Sequence, residues 1–350
     1  MNAAVIGLGG DEWSAAVERL DESDVYHLPA YHRVAEANGD GEALAFIAES
    51  GEKLLLHPFL RRPIERVGDE PVDGGWVDLE SVYGYCGPVA TTSDPTFLAA
   101  AWEAFADWCG AAGVVAEFIR FNPLLRNERL ASAGTAIVRD RETVAVRLDV
   151  SADALWGGYP SVQRNMVRKA RMAGLSAART GEEAVDGFAD LYHETMRRVG
   201  ADAWYAFGDA YFAELARLPQ LVSFEVREPD GRVAAAALFL RHRTRIHYHL
   251  AATRRDSPGG AANLLLHEAA EWGRGEGASV LHLGGGRTPA PDDALLRFKA
   301  ALSRLRLPFY TGRRVHNREM YDDLCSRWLR SARAAAPPPY FLLYRLETHT

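Results

Sequence analysis

Cysteine and lysine are scarce in this chain, and long apolar runs are missing. The 350 residues include three cysteines, Cys86, Cys109 and Cys325, far apart and with no Cys-x-x-Cys pair. That spacing excludes a disulfide scaffold and a zinc ribbon, and it fits a reducing compartment. No apolar stretch approaches the ~20 residues that span a bilayer; the longest is 233–240. The first residues lack the basic start and apolar run of a secretory signal. A cytoplasmic protein without integral membrane contact is therefore expected. Of the 40 basic residues only three are lysine, Lys53, Lys169 and Lys299. So strong an arginine bias fits a GC-rich genome and singles out each lysine that remains.

The composition, 48% hydrophobic and 25% charged, is that of a globular protein, and the length allows two domains. Charge divides the chain. Residues 1–150 carry 12 basic and 25 acidic side chains, a balance of −13, and residues 151–350 carry 28 and 22, a balance of +6. Two domains with these bounds are expected, the second suited to an anionic partner. CoA, a nucleotide or the acceptor end of a tRNA would all fit; DNA is not expected.

Hydrophobic periodicity predicts helices over 13–20, 29–36 and 97–108 and a hairpin of 43–49 with 53–61 around Gly51. Residues 83–88, Tyr-Gly-Tyr-Cys-Gly-Pro, read as a punctuated loop, with strands at 114–121 and 142–150. The second half offers a helix at 186–199 and strands at 221–227, 233–241 and 245–252. A helix at 261–274, a strand at 279–283, the triplet Gly284-Gly285-Gly286 and a helix at 292–305 follow. An antiparallel meander followed by strand–helix–strand indicates an α+β fold with mixed sheets flanked by helices. The similar element order of the halves hints at a duplication.

Residue by residue, several readings stay open. Lys299, after Phe298 in a helix behind a glycine loop, is either a solvated helix lysine or a ligand-facing cation. Gly284, Gly285 and Gly286 form a tight turn or an anion-binding nest. Asn263 is a helix cap or a ligand contact. Tyr83, Tyr85, Tyr205 and Tyr248 cover core or stack on a ligand. Arg164, Arg168, Lys169 and Arg171 share a helix, and Arg313, Arg314 and Arg318 form a second basic cluster; each is a solvated face or a phosphate track. His247, His249 and His282 lack acidic or cysteine partners at metal-ligand spacing, so no metal is expected. Cys86 has no nearby base and is a poor candidate nucleophile.

Four segments in order, 247–253 (His-Tyr-His-Leu-Ala-Ala-Thr), 260–266 (Gly-Ala-Ala-Asn-Leu-Leu-Leu), 281–286 (Leu-His-Leu-Gly-Gly-Gly) and 296–299 (Leu-Arg-Phe-Lys), resemble the C-terminal half of the Fem family. Residues 83–88, 165–170 and 196–212 are similar to further segments of that family. The likeness runs from about Val25 to Leu324, and there is no long charged helical hairpin. The resemblance implies two tandem GNAT-like acyltransferase domains without a coiled-coil arm. It also implies transfer of an amino acid from aminoacyl-tRNA to an amine acceptor, forming an amide. The acceptor would be a peptidoglycan precursor or, as in short chains of antibiotic biosynthesis, a natural-product intermediate.

Under that resemblance Lys299 becomes the catalytic cation. Phe298, Tyr83, Tyr85, Tyr205, Tyr248, Asn263 and Gly284–Gly286 become substrate contacts, and Arg164, Arg168, Lys169, Arg171, Arg313 and Arg314 become contacts to tRNA. An aminoacyl ester needs no further cofactor, the aminoacyl-tRNA being a co-substrate. Two alternatives remain. One is a GNAT N-acyltransferase that uses acyl-CoA or an acyl-carrier protein. The other is a non-catalytic module that kept the fold. The loop Arg254-Arg255-Asp256-Ser257-Pro258-Gly259-Gly260-Ala261 lacks the Arg/Gln-x-x-Gly-x-Gly/Ala spacing of a CoA loop. It also carries a proline that removes an amide donor, which argues against CoA.

Overall fold

The computed structural model describes residues 1–181, 184–201, 205–290, 292–332 and 338–347. The chain divides into two compact units, Met1–Asp140 with Phe309–Thr350, and Arg141–Pro308. The charge-based reading placed one boundary at 150/151. The compact units instead meet at 140/141 and 308/309, because the last strand and helix return to the first unit.

The first unit opens with β1 (Asn2–Gly7), α1 (Glu12–Glu18) and α2 (Pro29–Ala37). The expected hairpin follows as β2 (Glu42–Ser50) and β3 (Lys53–Pro63), closed by Gly51 in the left-handed region at φ +60°. Three short strands come next: β4 (Arg66–Val67), β5 (Glu70–Pro71) and β6 (Val77–Glu80). Then come β7 (Val89–Ala90), α3 (Pro95–Ala111) and β8 (Val114–Arg120). Asp94 caps α3 by accepting from Thr96 N at 2.9 Å, with Pro95 in its first turn. Both are start signals that a sequence displays openly. The helix buries Phe97, Ala101, Trp102, Phe105 and Cys109 against β2, β3 and β6, at about 2 kcal/mol for each large side chain. Strands β1, β2, β3 and β6 pair antiparallel in that order, and β6 pairs parallel with β8 across α3.

The second unit uses the same arrangement. It contains the C-terminal part of β9 (Ala136–Arg147), α4 (Ala152–Gly158), α5 (Ser161–Met172), β10 (Ser176–Thr180), α6 (Ala184–Val199) and α7 (Asp209–Ala216). The meander β11 (Leu221–Arg227), β12 (Val233–His242) and β13 (Arg245–Thr253) follows, then α8 (Ala261–Gly275), β14 (Val280–Gly285) and α9 (Ala294–Ala300). The order across its sheet is β9-β14-β13-β12-β11-β10, antiparallel except for the pair β13–β14, which α8 connects. Leu264, Leu265, Leu266, Ala269 and Ala270 of α8 fill the core with Phe224, Ala237, Phe239, Ile246 and Leu281. Each unit is thus an antiparallel meander ending in a strand–helix–strand crossover, which is where the hint of duplication has its physical content.

The chain closes in the first unit. The Thr311–Val315 half of β15 (Leu305–Val315) pairs antiparallel with β8, and α10 (Arg318–Ser331) follows. Neither β15 nor α10 was expected from the sequence, and α9 is shorter than the predicted helix at 292–305.

Candidate active site

Strands β13 and β14 are joined only through Arg245–His247 and Val280–His282. Beyond that rung each follows its other neighbour: Leu250 pairs with Leu238 of β12, while Gly284 and Gly285 pair with Val144 and Thr143 of β9. A wedge therefore opens within the sheet of the second unit, with Tyr248 on one strand and Gly284 and Gly285 on the other.

Lys299 lies across one side of the wedge. It is buried on α9, its Nζ donates to the Gly285 carbonyl at 2.8 Å, and it stands 5.9 Å from the centre of the Tyr248 ring. It thus ties the end of β14 to β13. Burial pushes its ammonium down to about 7; Asp293 pulls it up and Arg141 pushes it further down. A lysine poised near neutrality is the sort of group active sites arrange. Phe298, beside it, packs partly buried against the core. The hydroxyl of Tyr248 is pushed up by burial and stays neutral.

The turn after β14 presents three successive carbonyls to cations. Gly285 O accepts from Lys299, while Gly286 O and Arg287 O accept from Arg141 at 2.9 and 3.0 Å. The amides of Arg287 and Thr288 both donate to Asp293 Oδ2 at 3.1 Å. The nest expected around the glycine triplet therefore has an anion of the protein's own at these two amides. Arg141 and Asp293 are site residues that the sequence reading missed. Asp293, immediately before an apolar helical run, carries the signature of an N-cap, and it accepts from Leu296 N at 2.9 Å. Arg141 gives no local signal.

On the wedge's other side the C-terminal end of α6 reaches both arms. Arg198 donates to Thr253 O at 2.7 Å, at the end of β13. Arg287 donates to Val199 O and Gly200 O, each at 3.1 Å, in the position where cations stabilise a helix C-terminus. At the last paired rung the two Nδ1 atoms of His247 and His282 are 3.3 Å apart, and His282 Nε2 is 2.9 Å from Thr143 Oγ1. His249 meets the Tyr211 hydroxyl at 2.6 Å, and burial, aided by His247, lowers its pKa to about 3. It is therefore neutral.

Asn263 is the third residue of α8 and not its cap; the cap position is Gly260, at φ +100°. A Cβ at Gly260 would stand 2.5 Å from Met166 O, so α5 lies directly on the head of α8. Asn263 Nδ2 donates to Gln163 Oε1 at 2.6 Å, and Gln163 Nε2 donates back to Asn263 O at 3.2 Å, lashing the helices together.

The basic residues of α5 are largely engaged within the unit. Arg164 donates to Gly157 O and Tyr159 O, Arg168 to Asn165 Oδ1 with its guanidinium 5.4 Å from the Trp156 ring, and Arg171 to Glu268. Lys169 Nζ lies over Gly259, 3.4 Å from where a Cβ would stand. Tyr205 accepts at its carbonyl from the Tyr192 hydroxyl at 3.0 Å. In the segment 196–212, residues 202–204 lie outside the described residues.

Tyr83, Tyr85, Arg313 and Arg314 belong to the first unit. Tyr83 O accepts from the Tyr31 hydroxyl at 2.7 Å, and the Tyr85 ring meets Tyr26 and Phe309 edge-on. Between them and the core, Cys86 is fully buried with its thiol 3.1 Å from Tyr26 O; burial pushes its pKa far up, leaving no thiolate for nucleophilic chemistry. Arg313 and Arg314 sit on β15, Arg314 donating to Ser132 Oγ at 2.7 Å.

Residues 161–300 match the acetyltransferase (GNAT) domain family. No curated protein matches the sequence. Among solved structures the chain resembles FemX at 14% identity and a TM-score of 0.69, over 92% of this chain and 99% of that one. It also resembles L-PGS from Bacillus licheniformis, at 14% identity and a TM-score of 0.58 over 92% and 98% of the two chains. A third likeness is to the C-terminal domain of a putative lysylphosphatidylglycerol synthetase from Agrobacterium fabrum, at 17% identity and a TM-score of 0.55 over 89% and 93%. At such identities the shared property is the fold, and the stretch that matches the GNAT domain family lies in the second unit.

Proposed function

We propose that this chain, a GNAT domain set in a FemX-like fold, is an amide-forming aminoacyltransferase that takes its amino acid from aminoacyl-tRNA and gives it to an amine. The observation that carries the reading is Lys299, a buried lysine lying across the wedge where β13 and β14 part. An acyl carbon held there would lie beside a cation in a low-dielectric wall, where charge stabilisation is strongest.

The reaction balances without further reactants. The acceptor nitrogen attacks the ester carbon, a C–N bond forms, and the carbonyl oxygen becomes an oxyanion beside Lys299. The C–O bond to the ribose then breaks, and the amine proton passes to the leaving ribose oxygen, relayed by the neighbouring hydroxyl. Lys299 holds charge in this scheme, and it does so as the ammonium.

Acyl-CoA is less favoured by the loop before α8. The amides of Ser257 and Ala261 are already turned onto the loop's own carbonyls of Arg254 and Pro258, and Pro258 offers none. A cradle for a pyrophosphate needs such amides free. Lys169, over Gly259 at the head of α8, would meet tRNA phosphate together with Arg164, Arg168 and Arg171 once their present partners are released. A peptidoglycan precursor and a small natural-product amine both suit the reading, in a cytoplasmic setting.

Mass spectrometry tests it. Amine, peptide and phosphatidylglycerol acceptors are incubated with mixed aminoacyl-tRNA or with acyl-CoA, with and without RNase. Gain of one amino-acid mass on an amine, abolished by RNase and by Lys299→Met, is the expected result. A product that needs acyl-CoA, or one formed on the lipid hydroxyl alone, overturns the reading.

A further inference from the structure

Asp293 has no part in the acyl transfer, yet it touches both the turn and the helix that carry Lys299 and its partner. Asp293 heads α9, and both of its carboxylate oxygens accept hydrogen bonds. Oδ1 accepts from Leu296 N at 2.9 Å, and Oδ2 accepts from Arg287 N and Thr288 N at 3.1 Å each and from Thr288 Oγ1 at 3.2 Å. One oxygen thus belongs to the helix that carries Lys299, and the other to the turn that carries Lys299's partner, Gly285. The fit is close. A Cβ on Gly286 would lie 2.4 Å from Oδ1, so the turn passes directly against the carboxylate.

We propose that Asp293 is a positioning residue for Lys299, its carboxylate stapling the 286–288 turn to the head of α9 so that the ammonium meets the Gly285 carbonyl at the mouth of the wedge. The same carboxylate is the anion that favours the charged form of Lys299. The groups facing Lys299 are Asp293 on its own helix, Arg141 from β9 and the neutral Tyr248 from β13. Arg141 is itself held by the carbonyls of Gly286 and Arg287. Burial works to raise the Asp293 pKa, but the amides of Leu296, Thr288 and Arg287 outweigh it and keep the carboxylate ionised. One side chain therefore sets both where the cation stands and how firmly it keeps its proton. As a statement about catalysis this rests on the proposed function; as a statement about Lys299 it does not.

The test exploits the scarcity of lysine. With three lysines in the chain, protein labelled with 15N-lysine gives three side-chain nitrogen resonances, assigned by replacing each lysine with arginine, or with methionine at 299. Their titration is followed by NMR in the wild type, in Asp293→Asn, which removes the charge and one of the two accepting oxygens, and in Asp293→Ser, which keeps an N-cap oxygen but loses the charge and the whole staple. We expect the Lys299 midpoint to fall by roughly one pH unit in both variants, with Lys53 and Lys169 unmoved. Protection of the Arg287 and Thr288 amides from hydrogen exchange is expected to be lost in the serine variant. A Lys299 midpoint within about 0.2 unit of wild type in correctly folded variants overturns the proposal. So does failure of both variants to fold, since Asp293 would then determine the fold and not the placement of one side chain. No substrate enters these measurements, so a negative acyltransfer assay with a shifted Lys299 would sink the function and leave the positioning role standing.

Discussion

Lys299 Nζ and the Gly285 carbonyl meet at 2.8 Å across the mouth of the β13/β14 wedge. An ammonium that already donates to a backbone oxygen is oriented before any ligand arrives, which is what electrostatic stabilisation of a developing oxyanion needs. Lys299→Met keeps the length and apolar stem of the side chain and deletes the charge. We expect kcat to fall by about 10²- to 10³-fold, the range for losing one oxyanion donor, while circular dichroism stays that of the wild type. An unchanged kcat would remove Lys299 from the chemistry.

The same substitution has a consequence for stability that needs no substrate. The folded Lys299 pKa, about 7, lies below that of a lysine in the unfolded chain, near 10.5. Between these values the unfolded state binds more protons, so the wild type gains stability as pH rises from about 7 toward 10.5. Below about 7 it carries the full cost of a buried charge. The difference in unfolding free energy between wild type and Lys299→Met is expected to move toward the wild type across that window, by at most about 1.4 kcal/mol per pH unit. Urea titrations at pH 6.5, 8 and 9.5 read it directly. A difference independent of pH would mean that the lysine keeps an ordinary pKa.

Gly286→Ala brings a methyl group to 2.4 Å from Asp293 Oδ1 and 2.7 Å from its Cγ. The carboxylate cannot swing aside without giving up the amides of Arg287, Thr288 and Leu296. We expect a loss of about 1–3 kcal/mol of stability and a kcat reduced by roughly tenfold or more, through displacement of Lys299. Thermal unfolding and turnover are measured together. A stable, fully active alanine variant would show that the turn has slack.

The Tyr83–Pro88 loop of the first unit stands on a buried polar frame. Asn127 donates to Cys86 O and Pro88 O at 2.7 and 3.0 Å, its Oδ1 accepts from Asn122 N at 2.7 Å, and Asn122 in turn donates to Asp24 and Tyr85 O. Asn127→Ala leaves buried carbonyls and an amide without partners. The expected cost is about 2–4 kcal/mol, read as a lower urea midpoint with the slope unchanged. A loss below about 0.5 kcal/mol would show that water replaces the side chain.

Much of this was legible in the sequence, and the failures share a cause. The hairpin at Gly51, the capped helix at Asp94 and the meander before α8 were readable because pattern, turn residue and cap agree within a short window. The wedge lysine could be singled out by its rarity and its neighbourhood. Arg141 could not, because its partners Gly286 and Arg287 lie some 145 residues away and nothing local marks an arginine for such a contact. The strand β15 was missed for a related reason: Arg306, Arg313 and Arg314 break its apolar pattern, and Arg314 finds its partner in Ser132, far off in sequence. The Arg164–Arg171 cluster read as one basic face, yet Arg164 and Arg171 turn to Tyr159 O and Glu268. Which cations are engaged is a tertiary property.

Glu117 supplies the last test, in the first unit and apart from the candidate chemistry. Its carboxylate is buried among aromatic rings and contacts His57 Nε2 through Oε1 and His316 Nε2, at 3.4 Å, through Oε2. Burial would raise its pKa, but His57 and His316 outweigh that and hold it well below the usual carboxylate range. A carboxyl whose folded pKa is depressed contributes stability that is present above the unfolded value, near 4.5, and is lost as pH falls toward the folded value. Glu117→Gln keeps the shape and removes this contribution. We expect the variant to be less stable than the wild type by about 3–5 kcal/mol at pH 7, the cost of breaking a buried pair. The gap should close progressively below about pH 4.5, where the wild-type group loses its advantage. Parallel urea curves for the two proteins from pH 7 to pH 3 decide it, and a gap that stays constant over that range would mean that glutamine's worse packing, and not the lost charge, destabilises the variant.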